Sequence, residues 1–121
     1  MQIATRLSEE LGRYLDLNTR QIEISTGNMA NIDTPGYRAV AMDFSAEMRQ
    51  AMARIDSGGD TVSAPRIIAE PGLVVRPDGN NVSMDREGLS LAEAQLRFKT
   101  GIALLKREYT RVMDAIHADA K

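Results

Sequence analysis

The feature that most constrains the fold is a seven-residue repeat of apolar side chains near the C-terminus. Its first series is Leu91, Phe98, Leu105 and Val112, and its companion series is Gln95, Ile102, Tyr109 and Ile116. Two such series, out of step by half a repeat, form the a/d seam through which one helix packs against another. We therefore predict a C-terminal helix within residues 83–121. Some 30 helical residues span about 45 Å.

The N-terminal part carries a second, weaker seam. Its two series are Leu15, Ile22 and Met29, and then Leu11, Asn18, Ser25 and Ile32. Asn18 and Ser25 leave two interpretations open: polar residues that fix the register of a helix pair, or a wet and weakly packed stretch. We predict an N-terminal helix within residues 1–34. Two long helices most simply pair with each other, so the expected fold is mainly α, with the terminal helices packed as an antiparallel coiled-coil-like pair.

Residues 35–82 form the predicted connection between these helices. The first helix must stop before Pro35, because proline disfavours helical angles at the residue that precedes it, and Gly36 is free to adopt a positive φ. A short helix over about residues 43–56 should follow, with Asp43 as its N-terminal cap. The whole chain is expected to form one domain.

The rest of the connection is rich in glycine and proline. Two β-prone runs, residues 66–69 and 73–76, flank a Pro-Gly pair and could pair as a small hairpin. An isolated two-stranded hairpin is marginal in water. We therefore expect residues 57–81 to be loop-like or disordered unless a neighbouring molecule covers them.

Composition excludes several classes of protein. The net charge is −2, with 15 basic residues interspersed among 17 acidic ones, so there is no basic field to hold nucleic acid. The absence of cysteine excludes disulfides and thiolate metal sites. The first residues lack the apolar stretch of a secretory signal, and no window is apolar enough for a membrane span. We expect a protein of the cytoplasm, or one exported without a cleavable signal.

Catalytic chemistry has no evident site in the sequence. The single histidine, His117, lies near the chain end with no metal-ligating or acid–base partner at a suitable spacing. Residues 78–81 read DGNN, but the positions that follow do not match a calcium loop. Asp43 and Glu47 lie one helical turn apart and are better explained as a cap and a solvated face. We predict no enzyme activity, no cofactor, no metal and no small-molecule substrate.

Residues 28–37 read NMANIDTPGY and are more specific than a simple helix stop requires. This segment closely resembles the signature of the flagellar rod and hook proteins, in which an Asn-apolar-Ala-Asn element leads to Thr-Pro-Gly-Tyr. The positions that carry the match are Asn28, Ala30, Asn31, Thr34, Pro35, Gly36 and Tyr37. Within that family, residues 39–44, 78–87, 91–93 and 95–98 look like the proximal rod subunits, the FlgB group. Physically, we expect Asn28 and Asn31 to bond backbone groups where the helix ends, with Tyr37 covering the bend.

The resemblance implies a structural subunit of the bacterial flagellar basal-body rod. Such proteins are exported to the periplasm by the flagellar type III apparatus without a cleaved signal peptide. They polymerise through their terminal helices into a helical tube that transmits torque from the membrane ring toward the distal rod and hook. The implied partners are further copies of the chain, other rod proteins, the rod adaptor and membrane ring at the base, and the export apparatus.

On this interpretation the helix seams serve assembly. The seam residues are Leu11, Leu15, Ile22, Met29, Leu91, Phe98, Ile102, Leu105, Tyr109, Val112 and Ile116. The alternative is a cytoplasmic helical adaptor or export chaperone. That class shares the amphipathic helices and the acidic character, but it does not explain the Thr-Pro-Gly-Tyr segment.

Overall fold

In chain order, a long helix at each end flanks a short helix and two short strands. The computed structural model describes residues 5–59 and 63–119. The helices are α1 (Arg6–Ala30), α2 (Phe44–Asp56) and α3 (Met84–Asp119), and the strands are β1 (Val40–Met42) and β2 (Ile67–Ala69). The predicted fold class is confirmed: mainly α, with a short middle helix and a small antiparallel β element. Positions 1–4 and 120–121 of the predicted terminal helices, and 60–62 of the connection, lie outside the described residues.

The two long helices run antiparallel, because the start of α1 meets the end of α3. At that end the Thr5 hydroxyl donates to Oε1 of Glu108 (2.8 Å). At the other end Nδ2 of Asn28 donates to Oε1 of Glu87 (2.9 Å). Thr5 also begins α1, since its side chain accepts from the Ser8 amide while the Ser8 hydroxyl accepts from the Thr5 amide.

The buried face of α3 differs by one position from the predicted seam. Its fully buried residues are Glu87, Ala94, Gly101 and Glu108, spaced seven apart. The series beginning at Leu91 is half-buried. The companion series is shifted by one residue toward the C-terminus relative to the buried residues, and its members Gln95 and Tyr109 are exposed. Large apolar side chains do not fit where the two helix backbones approach most closely.

Gly101 marks this close approach. A Cβ atom added to it would lie 2.8 Å from Cδ2 of Leu15 and 3.1 Å from Cδ1 of Tyr14. Real carbon atoms do not pack at the shorter of these distances. The side chains of α1 therefore occupy the space that any larger residue at position 101 would need.

The polar residues in the α1 seam are buried away from solvent. Asn18 and Ser25 are each 0% exposed, which excludes a wet stretch. Nδ2 of Asn18 donates to the Tyr14 carbonyl (2.8 Å), but within the described chain its Oδ1 has no hydrogen-bond donor. An unsatisfied buried acceptor costs about 1–3 kcal/mol, so Asn18 weakens the helix pair.

The helix α2 packs across α1 and completes the core. Asp43 caps it by accepting a hydrogen bond from the Ala46 amide (3.1 Å). The core consists of Leu17, Ile24 and Met42, with Val40, Phe44 and Met48 packed against it. The Phe44 ring connects all three helices, because Tyr14 lies edge-on to it at 5.6 Å and the guanidinium of Arg97 lies 4.8 Å from its centroid.

The β element pairs different segments from those expected. Val40 pairs with Ala69 and Met42 with Ile67, so β2 joins the strand that follows the turn after α1. The run 73–76, the expected partner, forms no strand. The reason is that the backbone of Val40 is held against α1 by Asn28, which offers β2 a fixed edge to join.

No helix among residues 5–59 and 63–119 is both long and apolar enough to cross a membrane. The same residues contain no cluster of three or more His, Cys, Asp or Glu side chains that could hold a metal ion.

Candidate functional site

The turn that follows α1 reverses the chain in two steps. The Thr34 amide donates to the Asn31 carbonyl (3.1 Å), and the Tyr37 amide donates to the Thr34 carbonyl (3.2 Å). Gly36 has a φ of +77°, a backbone conformation that favours glycine. The turn returns residues 37–42 toward the last turns of α1, where Asn28 receives them.

Asn28 is the centre of this junction. Its side chain is 0% exposed and makes four hydrogen bonds, the full capacity of an amide. Nδ2 donates to the Val40 carbonyl (2.8 Å) and to Oε1 of Glu87 (2.9 Å). Oδ1 accepts from the Tyr37 hydroxyl (3.0 Å) and from the Val40 amide (3.1 Å). One side chain thus joins α1, the turn, β1 and α3.

The segment before α3 clasps the same turn from the other side. Nδ2 of Asn80 donates to the carbonyls of Asn31 (2.8 Å) and Thr34 (2.9 Å), and Asn80 is also 0% exposed. Oδ1 of Asn81 accepts from the Ala39 amide, and the Asn81 amide donates to the Tyr37 carbonyl. Oδ1 of Asn80 accepts from the Val82 amide (2.8 Å), so the side-chain oxygens of both asparagines face backbone amides.

Arg76 and a pair of glycines close the clasp. The Arg76 guanidinium donates to the carbonyls of Ile32 (2.6 Å) and Val82 (2.7 Å), which ties the end of α1 to the residues before α3. The Gly36 amide donates to the Asp78 carbonyl (2.9 Å). Gly79 has a φ of +85°, and a Cβ there would lie 3.2 Å from the Cα of Gly36. The two segments meet backbone to backbone, with no room for a side chain between them.

Two acidic side chains lie at the edge of the junction. Glu87 is 2% exposed, and the carboxyl of Glu70, the residue after β2, lies against it. Nη1 of Arg86 is 3.8 Å from Oε1 of Glu70 and donates to the Pro71 carbonyl (2.6 Å). Burial, followed by the hydrogen bond and charge of Glu87, raises the pKa of Glu70 to about 7, although Arg86 opposes this.

Glu108 fixes the opposite end of the helix pair. Its Oε1 accepts from Thr5 and from Arg111 (2.8 Å each). These two hydrogen bonds, of which the one from Arg111 has the larger effect, lower the pKa of Glu108. The carboxylate therefore stays ionised and joins the N-terminal cap of α1 to α3.

The predicted signature residues have different environments. Asn28 is buried, Asn31 and Tyr37 are partly buried, and Ala30, Thr34, Pro35 and Gly36 are exposed. Asn31 closes the helix end by donating from Nδ2 to the Gly27 carbonyl (2.8 Å). Both asparagines bond backbone groups at this end of α1, and the Tyr37 hydroxyl reaches back to Asn28 across the bend.

The predicted seam residues range from buried to exposed. Leu11 is buried, and most of the others are half-buried along the α1–α3 contact: Leu15, Ile22, Met29, Leu91, Phe98, Ile102, Leu105 and Val112. Tyr109 and Ile116 are exposed at 52% and 42%. They lie on the part of α3 that continues past Thr5. Residues 109–119 extend about 16 Å at 1.5 Å per residue.

Sequence reasoning missed a second exposed apolar face on α3. Leu89 and Leu96 are 61% and 67% exposed. Each lies two positions after a buried residue, Glu87 or Ala94, and therefore about 200° around the helix from the buried face. The seven-residue spacing of Leu89 and Leu96 is the sequence signal that could have revealed this face.

An open groove lies between the start of α1 and the far half of α3. Its volume is about 740 Å³, and Leu7, Leu11 and Leu104 supply its apolar walls. A smaller groove of about 180 Å³ adjoins it and adds Tyr14 and Met48. Both are open surface grooves rather than enclosed cavities, a form that suits the side of a helix better than a small substrate.

No protein-family model matches the sequence. Curated relatives match it over nearly its whole length. The flagellar basal body rod protein FlgB of Salmonella typhimurium is 31% identical, over 96% of this chain and 94% of the relative. FlgB of Cereibacter sphaeroides is 32% identical, over 95% and 99%, and FlgB of Escherichia coli is 26% identical, over 98% and 96%. At this identity and coverage, the chain belongs to the FlgB family of flagellar basal body rod proteins.

Proposed function

We propose that this chain is a structural, non-catalytic subunit of the proximal part of the flagellar basal-body rod. Its terminal helices would pack with those of neighbouring subunits to build a helical tube that transmits torque. Family membership places the chain in the rod, and the exposed apolar faces of α3 supply the contacts that a polymer needs.

The observation that carries the proposal is the distribution of apolar residues on α3. A helix that only paired with α1 would need one apolar face. α3 has its buried face, the opposite face of Leu89 and Leu96, and the extension with Tyr109, Met113 and Ile116. Contacts that use different surfaces on the two partners generate open helical filaments when the rotation between subunits does not close a ring.

The junction around Asn28 would set the direction in which the connection leaves the helix pair. Asn80, in the segment before α3, donates to the Asn31 and Thr34 carbonyls, and the Tyr37 hydroxyl donates to Asn28, so the exit angle is fixed by the fold of the subunit itself. A subunit in a helical tube must present its contacts at one angle, because an error of a few degrees accumulates along the polymer.

The partners follow from this role. We propose further copies of the chain and other rod proteins along the axis, and the rod adaptor and membrane ring at the base. The flagellar type III apparatus would export the chain without a cleaved signal peptide. These assignments rest on the family to which the chain belongs.

The test is to remove the opposite face of α3 without disturbing the subunit fold. The double variant L89Q/L96Q replaces two exposed leucines with residues of good helix propensity. In cells that lack the native gene, we expect it to be produced and folded but to support neither rods nor motility. The control is V74Q, since Val74 is 84% exposed but lies outside the helices. Normal motility with L89Q/L96Q would refute an assembly role for this face.

A further inference from the structure

Two carboxyl groups, those of Glu70 and Glu87, meet inside the protein at the edge of the junction. Glu87 belongs to the first turns of α3, and Glu70 immediately follows β2. Glu87 is almost completely buried, and Oε2 of Glu70 is buried with no hydrogen-bond donor facing it among the described residues. Two ionised carboxylates in contact repel each other, and neither is well hydrated here.

The surrounding groups do not neutralise two negative charges. From α3, the titratable groups that face Glu70 are Glu87 and Arg86. The Arg86 side chain is 44% exposed, and its contact with Glu70 is longer than a hydrogen bond, at 3.8 Å. From α1, the facing group is the neutral Asn28 amide, which donates one hydrogen bond to Glu87 and has no further donor to offer. On the turn, the Tyr37 hydroxyl bonds Asn28 instead.

A single proton would satisfy this arrangement. If Glu70 is protonated, its O–H can donate to the Glu87 carboxylate, so the pair carries one charge and the unsatisfied oxygen becomes a donor. This sharing of a proton by two adjacent carboxyl groups is a general property of such pairs. The direction of the Glu70 pKa, raised from 4.5 to about 7, agrees with the geometry.

We infer that Glu70 and Glu87 share one proton in the folded subunit, and that loss of this proton loosens β2 from the junction of α1, β1 and α3. The strand is attached nearby through the Glu70 amide, which donates to the Ala39 carbonyl (3.0 Å), and through the pairing of Ala69 with Val40. Repulsion between the two carboxylates acts directly across this attachment. The carboxyl pair is therefore a pH-sensitive latch on the β element, a property beyond the structural role proposed above.

The sign of the effect follows from proton linkage. The folded chain keeps the proton on Glu70 up to about pH 7, whereas the unfolded chain loses it near pH 4.5. Between these values the folded state binds more protons than the unfolded state, so stability falls as pH rises. The contribution of Glu70 is largest below pH 4.5 and is lost as pH passes about 7.

The direct test is an NMR titration of the side-chain carboxyl carbons of Glu70 and Glu87 in the full chain. We expect a midpoint near pH 7 for Glu70 and, above it, a loss of exchange protection at the Glu70 amide, which donates to the Ala39 carbonyl. Protection factors, rather than raw rates, remove the intrinsic pH dependence of exchange. A Glu70 midpoint close to 4.5, or protection that does not change between pH 5.5 and 8, would overturn the inference.

A variant separates the latch from other pH effects. E70Q places a permanent neutral donor at this position. We therefore expect the amide exchange protection of β2 and the Tm to stay constant from pH 5.5 to 8, whereas both should fall in the wild type. E93Q is the control, because Glu93 is an exposed residue of α3 and should leave the wild-type pH dependence intact. Equal pH dependence in E70Q and the wild type would contradict the latch.

Discussion

Replacing Asn28 should cost much more stability than replacing Asn31, although both belong to the same short motif. Asn28→Ala removes four hydrogen bonds from a side chain that is 0% exposed. Three of them are to neutral groups, worth about 0.5–1.5 kcal/mol each, and the bond to the Glu87 carboxylate is worth about 1.5–3 kcal/mol. The expected loss is therefore at least about 3 kcal/mol, a large part of the 5–15 kcal/mol typical of a domain.

Asn31→Ala is the matched control. The Asn31 side chain makes two hydrogen bonds at a more accessible helix end, one to the Gly27 carbonyl and one from the Thr34 hydroxyl. Water can replace both, so the expected loss is about 1 kcal/mol or less. The difference between two Asn→Ala changes in one helix end isolates the contribution of burial and of the contacts with β1 and α3.

Urea denaturation followed by circular dichroism measures both variants. We expect N28A to unfold at a much lower urea concentration than N31A, or to be unfolded without urea while N31A remains folded. Equal losses of about 1 kcal/mol would refute the reasoning, because they would show that water replaces the Asn28 bonds as easily as those of a surface residue.

Four other substitutions test separate parts of the fold. Gly101→Ala should lower stability by about 1–3 kcal/mol through overpacking against α1. Gly88→Ala on the same helix meets open space and should raise stability by about 0.5–1 kcal/mol. A higher Tm for both variants would contradict the close helix contact. Gly79→Ala should cost about 1–2 kcal/mol from its positive φ alone. It should cost more because the new Cβ would lie 3.2 Å from the Cα of Gly36. An unchanged urea midpoint would contradict this expected loss of stability. Arg111 and a second donor hold the pKa of Glu108 below its ordinary value, so its contribution to stability is present above pH 4.5 and is lost as pH falls further. Glu108→Gln should therefore reduce the fall in Tm below pH 4.5, and an unchanged acid profile would refute this role.

The helices could be predicted because their signals are local. The apolar period that includes Leu91, Phe98 and Leu105 indicates a helix whatever it packs against. Asp43 and Pro35 mark a helix start and a helix stop through their own backbone chemistry. Such features need only a few neighbouring residues, so the antiparallel helix pair and the short middle helix followed from the sequence.

The centre of the seam could not be found by searching for large apolar residues. Gly101 and Ala94 occupy it because the helices approach closely there, and Glu87 and Glu108 occupy it because each has partners at its own end of α1. A search for hydrophobicity detects the residues that flank such a contact rather than those at its centre. The resulting error is one position in the companion series.

The partner of β2 depended on contacts that are distant in sequence. Residues 73–76 are nearer along the chain than β1 and have a similar propensity for strands. The choice of β1 follows from the bonds of Asn28 to Val40, which lies 12 positions later, and from the clasp by Asn80, which lies 49 positions after Asn31. Local propensity cannot report such contacts. The family signature includes Asn28 and Asn31, but it does not give the geometry of their contacts.

The most direct test of the central claim, that this chain is a built-in rod subunit, is mass spectrometry of flagellar basal bodies from the organism that encodes it. The basal bodies are purified in detergent and washed with salt to remove loosely bound proteins. We predict that the chain is retained in a fixed ratio to the other rod proteins. Its absence from these particles, with the protein soluble in the cytoplasm of cells that build complete rods, would contradict the account and favour a helical adaptor or export chaperone.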